Sequence, residues 1–136
     1  MLLQVDDFAD VWAPMIYVVD DDEAVRDSLR TLLTAFGFPV EDFASGQEFF
    51  DRADPGAGKC LILDVNLPGE SGLDVLARLK ADGSTLPVVM VSGRAEASAK
   101  RRARELGAIA FLDKPVAFDV LRATISEVIG DPCPGM

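Results

Sequence analysis

The chain has 136 residues, 49% of them hydrophobic, with a formal net charge of −10 and no histidine. That length suits one domain able to bury a core without disulfide or metal staples, and the acidic balance argues against the domain itself gripping nucleic acid, because phosphate neutralisation needs a basic face. Two cysteines, Cys60 and Cys133, make a poor disulfide framework, the N-terminus lacks a signal peptide's basic start and apolar stretch, and no run approaches the ~20 apolar residues that span a bilayer; a cytoplasmic setting without membrane insertion is expected.

Residues 1–14 mix acids with Phe8, Val11 and Trp12, show no clean period and end at Pro14. They read as a loosely ordered arm ahead of a domain over 15–130, with 131–136 as a tail or the start of a linker. Met15 to Val19 is an apolar run of strand length that stops at Asp20-Asp21-Asp22-Glu23. Val25, Leu29, Leu32 and Phe36 then recur at helical spacing and point to an amphipathic helix, stopped by Gly37. Residues 38–43 form a poorer strand carrying Pro39, Glu41 and Asp42, which belongs at a sheet edge where a missing donor and exposed charge are tolerated. Ser45-Gly46-Gln47-Glu48 has the form of a capping box and opens a short helix.

Lys59-Cys60-Leu61-Ile62-Leu63-Asp64 is a strand buried on both faces, as at the centre of a parallel sheet, and it ends in one carboxylate before Pro68-Gly69. Ser71 caps the next helix, with Leu73, Leu76 and Lys80 on one side and Val75 and Leu79 on another. Residues 87–91 form a fourth strand that delivers Ser92-Gly93. A helix with a thin inward stripe (Ala99, Ala103, Leu106) follows; small side chains bury little area, so it should be the least firmly held. Arg94, Lys100, Arg101, Arg102 and Arg104 make this segment locally basic, either a solvated face or a docking surface for an acidic partner. Residues 108–112 form the fifth strand, ending at Asp113-Lys114-Pro115, and a last helix turns Leu121, Ile125 and Val128 inward.

Five alternations of strand and helix predict an α/β fold with right-handed crossovers and helices on both faces. With the most polar strand at an edge and the first, third and fourth the most apolar, the order 2-1-3-4-5 fits, a flavodoxin-like five-stranded parallel sheet. Asp20, Asp21 and Asp64 then meet at one crevice, with Ser92 and Lys114 on its rim. Three close carboxylates repel one another unless a cation compensates them. Oxygen ligands alone select Mg²⁺, or Mn²⁺, over zinc or copper. Asp64 can act as a nucleophile toward phosphorus, with Lys114 pairing the phosphoryl oxygens and Ser92 donating a hydrogen bond to one of them. Asp21-Asp22 is an alternative metal pair if the first strand runs one residue longer, although a strand ending at Val19 makes Asp22 a good helix cap.

Val19-Asp20-Asp21, Leu63-Asp64-Val65-Asn66-Leu67-Pro68-Gly69-Glu70-Ser71-Gly72, Val91-Ser92-Gly93 and Lys114-Pro115 resemble response-regulator receiver domains of two-component signalling, locally those of the nitrogen-fixation (FixJ) type. The resemblance implies that Asp64 is a phosphoacceptor served by a sensor histidine kinase. It implies that Asp21, Asp64 and the backbone carbonyl of Asn66 hold Mg²⁺ with Asp20 in support, and that Ser92 and Phe111 form a switch pair. Such a domain is no enzyme beyond assisting its own phosphorylation and dephosphorylation. Its fourth helix, fifth strand and fifth helix are read by an output domain, another protein, or a second copy when phosphorylated. A cis Lys114-Pro115 bond also follows from the resemblance, while Phe111 on its own reads as ordinary core. Ser92 stands where many relatives carry threonine. Two other readings remain: a haloacid-dehalogenase-like phosphatase, which wants an acid where Asn66 stands, and a receiver-shaped interaction module that takes no phosphate.

Overall fold

The computed structural model describes residues 15–93 and 96–130. The expected arm and tail, Cys133 and Arg94 lie outside the described residues. The elements are β1 Met15–Val19, α1 Glu23–Ala35, β2 Val40–Phe43, α2 Gly46–Arg52, a 3₁₀ turn Pro55–Ala57, β3 Gly58–Asp64, α3 Gly72–Ala81, β4 Val88–Ser92, α4 Ala97–Glu105, β5 Ala110–Asp113 and α5 Phe118–Ile129. All five strands are parallel in the order β2-β1-β3-β4-β5, as the polarity of each strand requires.

Alternation along the central strands builds two cores. Tyr17, Val19, Leu61, Leu63 and Met90 face one way, against Phe49 of α2, Val75, Leu76 and Leu79 of α3, and Ala103 of α4. Ile16, Val18, Ile62 and Val89 face the other, against Leu33 of α1 and Leu121 and Ile125 of α5. Both faces being covered, β1, β3 and β4 are apolar throughout. β2 is shorter than the sequence suggests and starts after Pro39, which has no N–H to give a ladder; its carbonyl still accepts from Ile16 N at 2.9 Å.

The starts of α1 and α3 follow the expected caps, and that of α2 forms only the serine half of its expected capping box. The Asp22 carboxylate accepts from Ala24 N and Val25 N, and Ser45 Oγ accepts from Glu48 N while the Glu48 carboxylate pairs with Arg52. Ser71 and Asp74 form a reciprocal capping box.

Two inward stripes differ from expectation. Leu32 and Phe36 are 39% and 42% exposed, and Leu33 is the buried residue of α1. Leu32 and Leu33 lie about 100° apart on the helix, and the spacing Val25, Leu29, Leu33 keeps the inward face where Leu32 and Phe36 would leave it. Phe36 instead meets the Phe118 ring, centroids 5.2 Å apart, beneath the Arg122 guanidinium. On α5, Val128 is 37% exposed and Ile129 packs on the core in its place. No described helix is long and apolar enough to cross a membrane.

Candidate functional site

Four strand ends assemble the site at the carboxyl edge of the sheet. Asp20 follows β1, is 1% exposed, and is fixed by three contacts: its N–H donates to Phe43 O, its carbonyl accepts from Arg26 Nη1 at 2.7 Å, and its Oδ1 accepts from Asp22 N at 2.9 Å. Asp64 ends β3 at 3% exposure, and its Oδ1 accepts from Asn66 N at 3.1 Å. Behind it the chain folds back so tightly that Gly72 N donates to Val65 O, and a Cβ on Gly72 would lie 2.1 Å from the Asp64 carbonyl oxygen. Only glycine fits there.

Lys114, just beyond β5, is tied to β4 by its own N–H, which donates to Ser92 O at 2.8 Å. Its Nζ lies 2.9 Å from Asp20 Oδ2 and 3.1 Å from Asp64 Oδ2. The Lys114-Pro115 bond is cis, as the resemblance implied. Ser92 is fully buried at the end of β4, and its Oγ accepts from Asn66 Nδ2 at 3.2 Å.

Burial is the main force raising the Asp64 pKa; the Asp20 charge adds to it, against the Asn66 N–H and Lys114, which lower it. For Lys114, burial pulls the pKa down, but the hydrogen bonds and charges of Asp20 and Asp64 together outweigh it, and the net shift is upward. Lys114 therefore stays an ammonium facing two buried carboxylates. Asp20, Asp21 and Asp64 each bring one carboxylate oxygen within 4.8 Å of the others. The cluster could hold a metal ion, and its hard oxygen donors suit Mg²⁺ chemistry. A single ammonium leaves this group of acids undercompensated.

The structure thus brings Asp20, Asp21, Asp64, Ser92, Asn66 and Lys114 together. Asp22 turns its carboxylate into the cap of α1, because β1 ends at Val19, and the acids that cluster are Asp20, Asp21 and Asp64. Phe111 sits opposite Met90 in the β4–β5 register. It is half-buried rather than ordinary core, and the Lys100 ammonium lies 5.8 Å from its ring centroid. Sequence reasoning missed Arg26, whose grip on the Asp20 carbonyl has no signal in a linear pattern. It also met Gly72 only as part of a motif, not as the close approach that seats Asp64.

A parallel sheet in this order, with buried aspartates and a lysine at its carboxyl edge, defines a class of phosphoacceptor-like α/β domains. The family model for the response regulator receiver domain matches residues 16–126, and the chain belongs to that family. It is 40% identical over 114 residues to the transcriptional regulatory protein FixJ of Bradyrhizobium diazoefficiens, covering 84% of this chain and 56% of that protein. It is 38% identical over 117 residues to the response regulator protein TodT of Pseudomonas putida, covering 86% of this chain and 52% of that one. The chain therefore spans about half the length of these curated relatives. Among solved structures, the response regulator StyR superposes with a TM-score of 0.80 at 36% identity, over 85% of this chain and 59% of that one. A receiver protein from Pseudoalteromonas atlantica gives 0.80 at 25% identity, over 85% and 97%.

Proposed function

We propose that Asp64 is the phosphoacceptor of a two-component system, receiving a phosphoryl group from the phosphohistidine of a sensor histidine kinase. The observation that carries this reading is the convergence of Asp20, Asp64 and Lys114 within hydrogen-bond reach at the carboxyl edge of the sheet. An Asp64 carboxylate oxygen attacks phosphorus; the O–P bond forms as the N–P bond breaks, and the imidazole leaves with its electron pair. Lys114 Nζ, already between the two carboxylates, pairs with the incoming phosphoryl oxygens. Asn66 N–H orients the nucleophile through Oδ1. Asp20, Asp21, Asp64 and the Asn66 backbone carbonyl would hold Mg²⁺, or Mn²⁺; when bound, the ion supplies charge neutralisation for the acids and the phosphoryl group.

Ser92 and Phe111 are read as the switch. The Ser92 hydroxyl, now accepting from Asn66, gains a charge-assisted bond to a phosphoryl oxygen, and Phe111, half-buried in this state, turns inward to fill the space it leaves. The altered α4–β5–α5 face is what an output domain or protein reads, in a cytoplasmic setting. The domain is no catalyst of an external substrate; Asn66 supplies no carboxyl two residues beyond Asp64 for protonating a leaving group, which weighs against a phosphatase.

The test is amide NMR of the protein titrated with beryllofluoride and Mg²⁺. Shifts centred on Asp64, Ser92, Phe111 and Lys114 that need both additions are expected. Absence of binding would favour a receiver-shaped module that takes no phosphate, and steady turnover of a phosphomonoester would favour the phosphatase.

A further inference from the structure

Helix α4 has two unlike faces. Ala103 is buried, and Leu106 packs on the same core just past the helix end. Ala97, Lys100, Arg101 and Arg104 follow the spacing i, i+3, i+4, i+7, so they share the opposite face, and all four are exposed, as is Arg102 on the flank. Lys100 leans toward β5, its Nζ 3.8 Å from Asp113 Oδ1 and 5.8 Å from the Phe111 ring centroid. Ile109, just before β5, is 45% exposed.

The other described arginines are engaged. Arg26 and Arg30 pair with Asp42, Arg52 pairs with Glu48, Arg78 lies 3.9 Å over the Phe50 ring, and Arg122 lies 4.5 Å over Phe36. Arg101, Arg102 and Arg104 have no ion partner among the described residues, although the chain carries 23 acids to 13 bases. Glu105 stands four residues after Arg101, a spacing that permits a helical pair, and the two are not joined. Complementing the helix dipole accounts for Arg102 and Arg104 in the last turn. It does not account for Arg101 in mid-helix or for the exposed Ile109 that leads into β5, two residues before Phe111.

We propose that this strip, with Ile109 and Phe111 at its apolar edge, docks an acidic polypeptide segment. The arginines take its carboxylates in forked hydrogen bonds and Ile109 seats an apolar side chain between them. The inference rests on reading the α4–β5–α5 face as the output surface and names the chemistry of what is read there. Charge complementarity selects the occupant. A polyphosphate chain would meet the field of a domain at −10, whereas a short segment with a few carboxylates feels chiefly the charges within a Debye length of ~8 Å. Turning Phe111 inward takes the ring from beneath Lys100, so the switch rearranges the strip.

The probe is a fluorescein-labelled Glu/Leu helical peptide, with its Gln/Leu counterpart as control, titrated against the full chain with and without beryllofluoride and Mg²⁺. Fluorescence anisotropy should show the Glu peptide binding in at least one state and the Gln peptide not. Arg101→Glu with Arg104→Glu should weaken it by more than about tenfold, a loss of ~1.4 kcal/mol or more; Arg101→Gln with Arg104→Gln should weaken it less, and Lys59→Glu should leave it unchanged. Equal binding by the charge-reversed protein, no binding of the Glu peptide, a duplex DNA that displaces it, or self-association of the wild type abolished by the reversal would each overturn the proposal. Acetyl phosphate labelling of the charge-reversed protein should match the wild type. Failure of labelling in the wild type itself strikes the phosphoacceptor reading and leaves the peptide result standing.

Discussion

Replacing Lys114 with methionine keeps an unbranched side chain, one atom shorter, and removes the ammonium that faces Asp20 and Asp64. The two contacts, at 2.9 and 3.1 Å, are worth roughly 5.5 kcal/mol each at an effective dielectric near 20, about 11 kcal/mol gross. Burying the ammonium offsets most of that, and removing one partner of a fully buried pair costs about 3–5 kcal/mol net. The Lys114 side chain is 25% exposed while the carboxylates are 2% and 3% exposed, which places Lys114→Met just below that range, a loss of about 2 kcal/mol in EDTA at neutral pH. Mg²⁺ supplies the missing positive charge, so it should stabilise the variant more than the wild type; a tenfold gain in metal affinity recovers ~1.4 kcal/mol. The gap should also narrow toward acid, because Asp64, whose pKa burial already raises, relieves the repulsion by taking a proton. Urea unfolding with and without Mg²⁺, at neutral and at acid pH, measures all three. Unchanged stability in EDTA, or equal stabilisation of both proteins by Mg²⁺, would refute the electrostatic account.

Asp64→Asn should stabilise the metal-free protein at neutral pH. Burial holds the native Asp64 pKa above its unfolded value, so the native state binds more protons and its stability falls as pH rises through that raised pKa. The advantage of the variant should therefore vanish below the unfolded pKa, and thermal melts across acid to neutral pH that show no convergence would contradict this. Gly72→Ala should cost about 3 kcal/mol by forcing a Cβ against the Asp64 backbone, a fall in Tm of roughly 10 °C. Gly93→Ala, with no atom within 4 Å of the new Cβ, should be close to neutral; equal melting of the two variants would show that the tight turn behind Asp64 is not as drawn.

Much of this architecture was legible because β1 and β3 run without interruption into their acids, and strands buried on both faces have no polar alternation to blur their ends. The edge position of β2 was legible from Pro39, Glu41 and Asp42. The site followed from the topology, since order 2-1-3-4-5 brings the ends of β1 and β3 side by side. What escaped was rotational or three-dimensional. Two adjacent leucines, Leu32 and Leu33, both satisfy a helical period, and only packing against β1 and β3 decides between them. The sequence left Asp20 and Asp22 as alternatives that differ by one residue of strand length; in the structure β1 ends at Val19 and the Asp22 carboxylate accepts from the N–H groups of α1. Phe111 reads as core from its hydrophobicity, yet it lies on the edge strand β5, which is flanked on one side only. The hydrogen bond from Asn66 to Ser92 joins the loop after β3 to the end of β4, 26 residues apart, and no local pattern announces it.

The most direct measurement is mass spectrometric mapping after incubation with acetyl phosphate and Mg²⁺. One phosphoryl group on the peptide containing Asp64, absent in EDTA and absent in Asp64→Asn, is the predicted result. A phosphoryl group on another residue, or undiminished labelling of Asp64→Asn, would contradict the assignment of this crevice as the phosphoacceptor site.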